Sequence, residues 1–261
     1  MDRFLKLKLT LKQKLLLTLL TLSVVSLFIF DPIELLPQLL IAPLVAGSAD
    51  FLINWRKGKN YFPDAAVISG LIIALVLAPL ASPVAVICAS ILAIASKHLV
   101  RLGGRHIFNP AAFGIIASSY FFDLSHGWLG DVVPVLFLIS LGSLIIFVYR
   151  MRRYWQVGSH LAGLLIGALV FSFVKSGDPF LLFRSSISPF FIGVMLMEPQ
   201  TSPAYKYGQA LFGFLTGLLS FGVSIFGGVY PLPFALLISN LFVPLLNKFT
   251  RPTQSAVPAK V

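Results

Sequence analysis

Long apolar runs separated by short polar interruptions recur along the whole chain. Read from breaker to breaker, they predict ten membrane segments, at about residues 14–30, 36–54, 65–80, 83–99, 107–122, 132–149, 159–175, 180–197, 207–226 and 231–247. Most approach the roughly 20 residues that a helix needs to cross a hydrocarbon core about 30 Å thick. Several are short or carry Pro or Gly, which predicts broken helices. The opening MDRFLKLKLTLKQKLLLTLL is basic and then apolar, like a signal peptide. No small-residue cleavage site follows the apolar run, so it reads as a retained first span.

Composition agrees with the pattern. The 261 residues are 57% hydrophobic and 11% charged, with a mean hydropathy of +0.93, whereas soluble domains are about 25% charged. The expected class is an all-α integral membrane protein in the lipid bilayer. The net charge of +11 then acquires a topological meaning. With the N-terminus inside, the inner loops collect Arg3, Lys6, Lys8, Lys12, Lys14, Arg56, Lys57, Lys59, Lys97, Arg101, Arg105, Arg150, Arg152, Arg153, Lys206, Lys248, Arg251 and Lys260, leaving only Lys175 and Arg184 near the outer side. That is the positive-inside bias. It predicts a multi-pass protein of the plasma (inner) membrane with both termini cytoplasmic, and it accounts for the charge without nucleic acid. The single cysteine, Cys88, excludes an intrachain disulfide and any all-cysteine zinc or iron–sulfur site; no metal site is expected.

A repeat adds organisation. ISGLIIALVLAPLASP (Ile68–Pro83) resembles ISPFFIGVMLMEPQTSP (Ile187–Pro203), pairing Pro79 with Pro199 and Ser82-Pro83 with Ser202-Pro203. These are the third and eighth segments, so the chain divides into five-segment halves at 1–125 and 126–250, with 251–261 as a disordered cytoplasmic tail. Five is odd, so the second half enters the membrane from the opposite side, an inverted-topology repeat. Such folds place their site near the midplane, where helices break. The candidate breaks are Ser69-Gly70, Asn109-Pro110 and Ser188-Pro189. A broken helix offers free N–H groups and a positive dipole end to a phosphate, carboxylate or carbonyl oxygen.

The densest polar stretch is SKHLVRLGGRHIFNPAAFG (Ser96–Gly114). Lys97, Arg101 and Arg105 suit a flavin phosphate or an acidic partner subunit, and equally an inner loop held at lipid headgroups. His98 and His106 suit a quinone or proton site, or a plain interfacial position. Asn109 and Pro110 combine architecture with possible ligand contact. Asp50, Asp64 and Glu198 are the acids nearest membrane depth, where acids are functional candidates by default; Asp64 and Glu198 also fit helix capping. Thr201 and Ser202 fit a ligand or a cap. His98, His106, His126 and His160 read as lying at segment ends or in loops, against the facing helical pairs of a di-haem cytochrome b. Trp55, Trp128 and Trp155 read as interfacial belts. There is no nucleotide-binding loop and no catalytic triad.

These residues resemble a known family. Ser96–Gly114 is similar to the signature shared by the D component of the Rnf electron transport complex and the B component of the sodium-translocating NADH:quinone reductase, which runs from S/A-K-x-L through a glycine turn to F-N-P-A. FPDAAVISGLIIALVLAP (Phe62–Pro79) resembles the family's D/N-x-A-x-x-[ST]-G-L-L-L-A segment, and SISPFFIGVMLMEPQTSP (Ser186–Pro203) its T-D-P-V-T-S-P segment. Phe226–Pro252 resembles its G-G turn, last helix and R-P tail. The resemblance implies ten helices in two inverted halves, akin to urea-channel folds. It also implies a membrane subunit of a flavin-dependent complex, NADH- or ferredoxin-linked, that couples electron transfer to Na+ or H+ translocation and is not catalytic without its other membrane subunits.

Two departures qualify this. Family members carry FMN covalently on a threonine in a long loop after the F-N-P-A helix; here the connection is Phe122–Asp131, without threonine. Ser188-Pro189 imitates the attachment context but belongs to the other motif, so no covalent FMN is expected. A noncovalent flavin (FMN or riboflavin) or a quinone is expected instead, with Lys97, His98, Arg105, Asn109, Ser188, Thr201 and Ser202 as the candidate binding residues. Glu198-Pro199-Gln200 replaces D-P-V but keeps a carboxylate. The alternative reading is a small-solute or ion channel of the same fold without redox chemistry.

Overall fold

The computed structural model describes residues 9–59, 61–226 and 230–251. The tail expected at 251–261 lies, Arg251 apart, outside the described residues, as do Arg3, Lys6, Lys8 and the Gly-Gly turn before the last helix. The described elements are α1 (Leu11–Leu27), α2 (Pro32–Arg56), α3 (Asp64–Val76), α4 (Pro83–Leu99), β1 (Arg101–Leu102), β2 (Arg105–His106), α5 (Pro110–Ser119), α6 (Pro134–Met151), α7 (Tyr154–Lys175), α8 (Pro179–Ser185), a π-helical segment (Phe191–Leu196), α9 (Lys206–Ile225) and α10 (Pro231–Phe249). α2, α6, α7, α9 and α10 are long and apolar enough to cross a membrane, and α3, α4 and α5 are shorter apolar helices. The protein is an all-α membrane protein.

One local rule starts four of these helices. Asp31-Pro32, Ser82-Pro83, Asn109-Pro110 and Asp178-Pro179 each place a short polar side chain at the N-cap and Pro in the first turn, and each cap accepts a backbone N–H. The cap satisfies an orphan donor, and Pro fits where no helical N–H bond is lost. The Gly103-Gly104 pair, with both φ values positive, makes the two-residue turn that pairs Arg101 with His106 and Leu102 with Arg105, the geometry two-residue hairpins prefer.

The third and eighth segments are half-helices. α3 has 13 residues, about 20 Å, well short of a hydrocarbon core of about 30 Å. The eighth segment breaks between α8 and the π-helical stretch. Ile68–Val76 and Phe191–Leu196 are buried throughout, so both broken backbones lie inside protein, where membrane depth tolerates them. Their freed carbonyls are met in parallel ways. Gln38 on α2 donates Nε2–H to the Ala74 carbonyl at 2.8 Å, and Gln156 on α7 donates to that of Leu196 at 2.6 Å. The α5–α6 connection folds back onto α3: Gly127 N–H donates to Val76 and Leu129 N–H to Leu75.

The packing repeats with an offset of five segments. α2 packs on α3 and α4, as α7 packs on α8 and α9; α4 packs on α5 as α9 on α10; α1 packs on α3 as α6 on the π-helical segment. The halves meet through α1 against α6 and α5 against α10. Two of the expected breaks, Asn109-Pro110 and Ser188-Pro189, do open helical segments. The third does not. Ser69-Gly70 lies within α3, and Gly70 is there because a Cβ would sit 2.5 Å from the Ala42 carbonyl oxygen and Pro43 Cα of α2; the break follows Val76 instead.

Candidate functional site

Two cavities lie at opposite ends of the bundle. The first, a cleft of about 500 Å³, opens at the end that carries Lys12, Lys97 and Arg101. α1, α3, α6 and the π-helical segment give it an apolar depth through Leu15, Ile72, Phe147 and Val194, and its polar wall includes His98, His106, Asn109 and Glu198.

Two carboxylates organise that wall. Asp50, near the end of α2 in a fully buried position, accepts from Lys97 Nζ at 3.0 Å and from His98 Nε2 at 2.7 Å on Oδ1. The Tyr61 hydroxyl donates to Oδ2 at 2.7 Å and itself accepts from Asn54 Nδ2 at 2.8 Å. Burial, then the bond to Asp50, pushes the Tyr61 hydroxyl up to about 12, so it remains a donor at neutral pH. Lys97 and His98 occupy the last turn of α4, where the helix dipole favours cations.

Glu198 follows the π-helical segment and holds the second group. His106 Nε2 stands 3.2 Å from Oε1; Asn109 Nδ2 and Thr201 Oγ1 donate to Oε2 at 2.9 and 3.0 Å. Asn109 is the hub between the halves. Its N–H donates to Asn240 Oδ1 of α10 at 3.0 Å, its Oδ1 caps Ala112 N–H at 3.0 Å, and Asn240 passes the link on to the Thr201 carbonyl at 2.8 Å. Ser202 is buried and donates to the Glu198 carbonyl, fixing the turn that presents the carboxylate.

The structure therefore gathers Lys97, His98, Asn109, Thr201 and Ser202 around one cleft, with Thr201 and Ser202 as supports of Glu198. It separates two other candidates. Arg105 is exposed on the hairpin, because its neighbour His106 takes the inward-facing position. Ser188 lies in the second cavity, about 520 Å³, with His126, Trp128, Asp131, Arg184, Ser220 and Ser224. There Ser188 donates to Asp131, whose Oδ1 accepts from Phe190 N–H at 3.1 Å. Trp128, expected as a belt residue, packs edge-on against Phe190 and Phe191. His160, expected at a segment end, lies inside α7, fully buried beside the Phe191 ring at 5.7 Å, with neither ring nitrogen partnered; α7 begins at Tyr154 rather than 159. No histidine faces it across the core among the described residues.

Asp131 predicts a pH effect. Burial pushes its carboxyl up to about 6 from 3.8, against the lowering by Ser188 and Phe190 N–H. A carboxyl raised on folding stabilises the fold fully below pH 3.8, and that contribution is lost as pH rises through about 6. Melting temperature in detergent should fall between pH 4 and 7, and Asp131→Asn should flatten that slope; the difference corresponds to at most about 3 kcal/mol. An unchanged slope in the variant counts against the assignment.

Sequence reading missed Tyr61, Asn54, Asn240 and Asp131. The Asp50/Asn54 spacing, four residues on one helix face, was the available signal for the first group.

Comparisons with known proteins give the family. The profile of the NQR2, RnfD, RnfE family matches residues 8–133 and 116–256. The D component of the ion-translocating oxidoreductase complex of Sodalis glossinidius (strain morsitans) is 37% identical over 137 residues, 49% of this chain and 37% of that protein. The D component of the proton-translocating ferredoxin:NAD(+) oxidoreductase complex of Clostridium ljungdahlii is 27% identical over 168 residues, 61% of this chain and 46% of that protein. The corresponding protein of Shewanella amazonensis, again the D component of an ion-translocating oxidoreductase complex, is 37% identical over 120 residues, 42% and 33% respectively. The chain thus spans less than half the length of these relatives. With the family profile covering nearly the whole sequence, the chain belongs to the NQR2, RnfD, RnfE family.

Proposed function

We propose that this protein is a membrane subunit of a flavin-dependent electron transport complex that couples electron transfer to Na+ or H+ translocation. It works with further membrane subunits and is not catalytic alone. Its basic end faces the cytoplasm, both termini are on that side, and the five-segment halves, divided near residue 125, are inverted across the plasma membrane. One observation carries the reading: the family's motifs, far apart in sequence, converge as Lys97, His98, Asn109 and Glu198 on a single cleft between the halves. The relatives' names supply the electron-transfer and ion-translocation context.

The residues of that cleft fit a noncovalent flavin or a quinone. Its volume suits a ring system, its depth is apolar, and His98 leaves its buried Nδ1 without a partner. Such a group supplies electron transfer. Lys97 would bind a carbonyl oxygen of the ring, the Nδ1 lone pairs of His98 and His106 would accept from its N–H or O–H groups, Asn109 would hold the helix start beside it, and the apolar wall would exclude water. Covalent FMN is not proposed: the Phe122–Asp131 connection has no threonine, and Asp131 already occupies the Ser188 hydroxyl.

The test is spectroscopic. The protein purified with its partners should show flavin or quinone absorbance that separates from the polypeptide on denaturation. A fluorescent band in a denaturing gel would show covalent attachment, and a colourless complex would overturn the redox reading. The channel reading has one supporting observation: the two cavities meet the eighth segment at its two ends, Arg184–Ser188 in one and Gly193–Glu198 in the other. Reductant-independent ion or solute flux in liposomes would favour it.

A further inference from the structure

The two carboxylates of the cleft are built alike. Each orients one imidazole through Nε2 and fills its remaining acceptor positions with fixed donors: Lys97 and Tyr61 on Asp50, Asn109 and Thr201 on Glu198. A carboxylate only accepts, so Nε2 of each histidine carries the hydrogen. The neutral tautomer then leaves Nδ1 as a bare lone pair. In His98 this atom is buried and has no partner, an arrangement that lacks one proton or one donor.

We propose that the ion handled at this cleft is the proton, carried on His98 and His106. The proposal rests on the reading of the protein as an ion-translocating subunit and specifies its ion. A proton entering from the basic end adds to the Nδ1 lone pair of His98, and the imidazolium is stabilised by Asp50 through the existing Nε2 bond. It leaves from the same nitrogen to water entering the cleft, so one proton is bound and one released per cycle. His106 repeats this nearer the mouth, against Glu198. Na+ does not fit. At Asp50 the Lys97 ammonium stands 3.0 Å from Oδ1, where a sodium ion would have to sit, and like charges at such distances repel strongly.

Every charged group around His98 enters the balance. Asp50 on α2 and Lys97 on α4 contact the site directly, and Lys57 after α2 acts on His98 at longer range. Tyr61 presents a neutral hydroxyl, and Arg101, Lys12 and Asp64 stand on the cleft wall. The Lys97–Asp50 pair is internally neutral, so protonation of His98 changes the buried group from zero to one positive charge. That single step is what electron transfer would need to drive.

The experiment uses the complex with its partner subunits in liposomes, driven by reduced ferredoxin with NAD+, recording electrons transferred, internal pH and 22Na+ uptake. The expected result is proton uptake that persists without Na+. His98→Gln should lower the ratio of protons to electrons at least tenfold. Its amide still donates to Asp50 but offers no basic nitrogen, so packing is retained. His106→Gln, nearer the mouth, is the second variant, read by the same ratio so that a slower complex does not count. Na+ uptake that survives a protonophore, or a proton ratio unchanged in both variants, overturns the proposal while leaving the translocation reading intact. Electron flow without movement of either ion removes the translocation reading itself, and the proposal with it.

Discussion

Asp50→Ala is expected to destabilise the protein by about 3–5 kcal/mol, because it strands a buried cation instead of removing a simple contact. The carboxylate is fully buried and receives donors from three places: Lys97, His98 and Tyr61. Without it, the Lys97 ammonium keeps its charge on a side chain only 17% exposed, and His98 loses the partner that fixes its ring. Truncation therefore leaves three donors unsatisfied, and each buried orphan adds its desolvation cost. Lys97 reaches the cleft wall, so partial hydration should hold the loss to the lower part of that range. Asp50→Asn, which keeps an acceptor but not the charge, should lose about half as much. The decisive comparison is a double-mutant cycle. If the ion pair is the cause, Lys97→Met should recover a substantial part of the Asp50→Ala loss. Thermal unfolding in detergent measures the three single variants and the Asp50→Ala/Lys97→Met double variant. Additive losses would show that Asp50 acts mainly through Tyr61 and Asn54.

The parts of the fold that were legible in the sequence are those set by local chemistry. Asn109-Pro110 marked a helix start, a glycine turn was expected where Gly103-Gly104 turns the hairpin, and one-sided basic residues gave the charged end. The half-helices were harder to read. A helix buried all round is apolar all round, so Ile68–Val76 reads like a lipid-facing span. Its early end depends on the Phe122–Asp131 connection, remote in sequence, which folds back to pair with its carbonyls. The π-helical turn at Phe191–Leu196 has no local sequence mark either. At the site, Lys97, His98 and Asn109 were legible because polar residues beside a break stand out against hydrocarbon. Ser188 was grouped with them by motif resemblance, although the repeat itself places it elsewhere: in an inverted pair, the start of the eighth segment lies at the opposite end from the start of the third.

Asn109→Ala should be the most damaging neutral substitution and should act on both stability and function. The side chain makes three connections at once: Oδ1 caps Ala112 N–H, and Nδ2 donates to Glu198 and, at 3.4 Å, to the Met195 carbonyl. Loss of the cap alone costs about 0.5–2 kcal/mol. The shortfall at Glu198 and Met195 adds about 1–3 kcal/mol for acceptors left without this donor, so roughly 1.5–5 kcal/mol in total is expected. The functional effect has a separate origin. Glu198 would keep Thr201 and His106 but lose the bond that ties it to the first half, so the wall of the cleft would no longer be held across the boundary between halves. Asn109→Asp discriminates the two contributions. It preserves the cap, since aspartate is an N-cap as good as asparagine, but places a second carboxylate 2.9 Å from Glu198 where a donor stood. Its melting temperature at pH 5, where the pair can share a proton, should lie closer to wild type than at pH 8, while electron transfer by the assembled complex should fall at both. A variant equally stable at both pH values would mean that Glu198 turns away from Asn109 in the working protein.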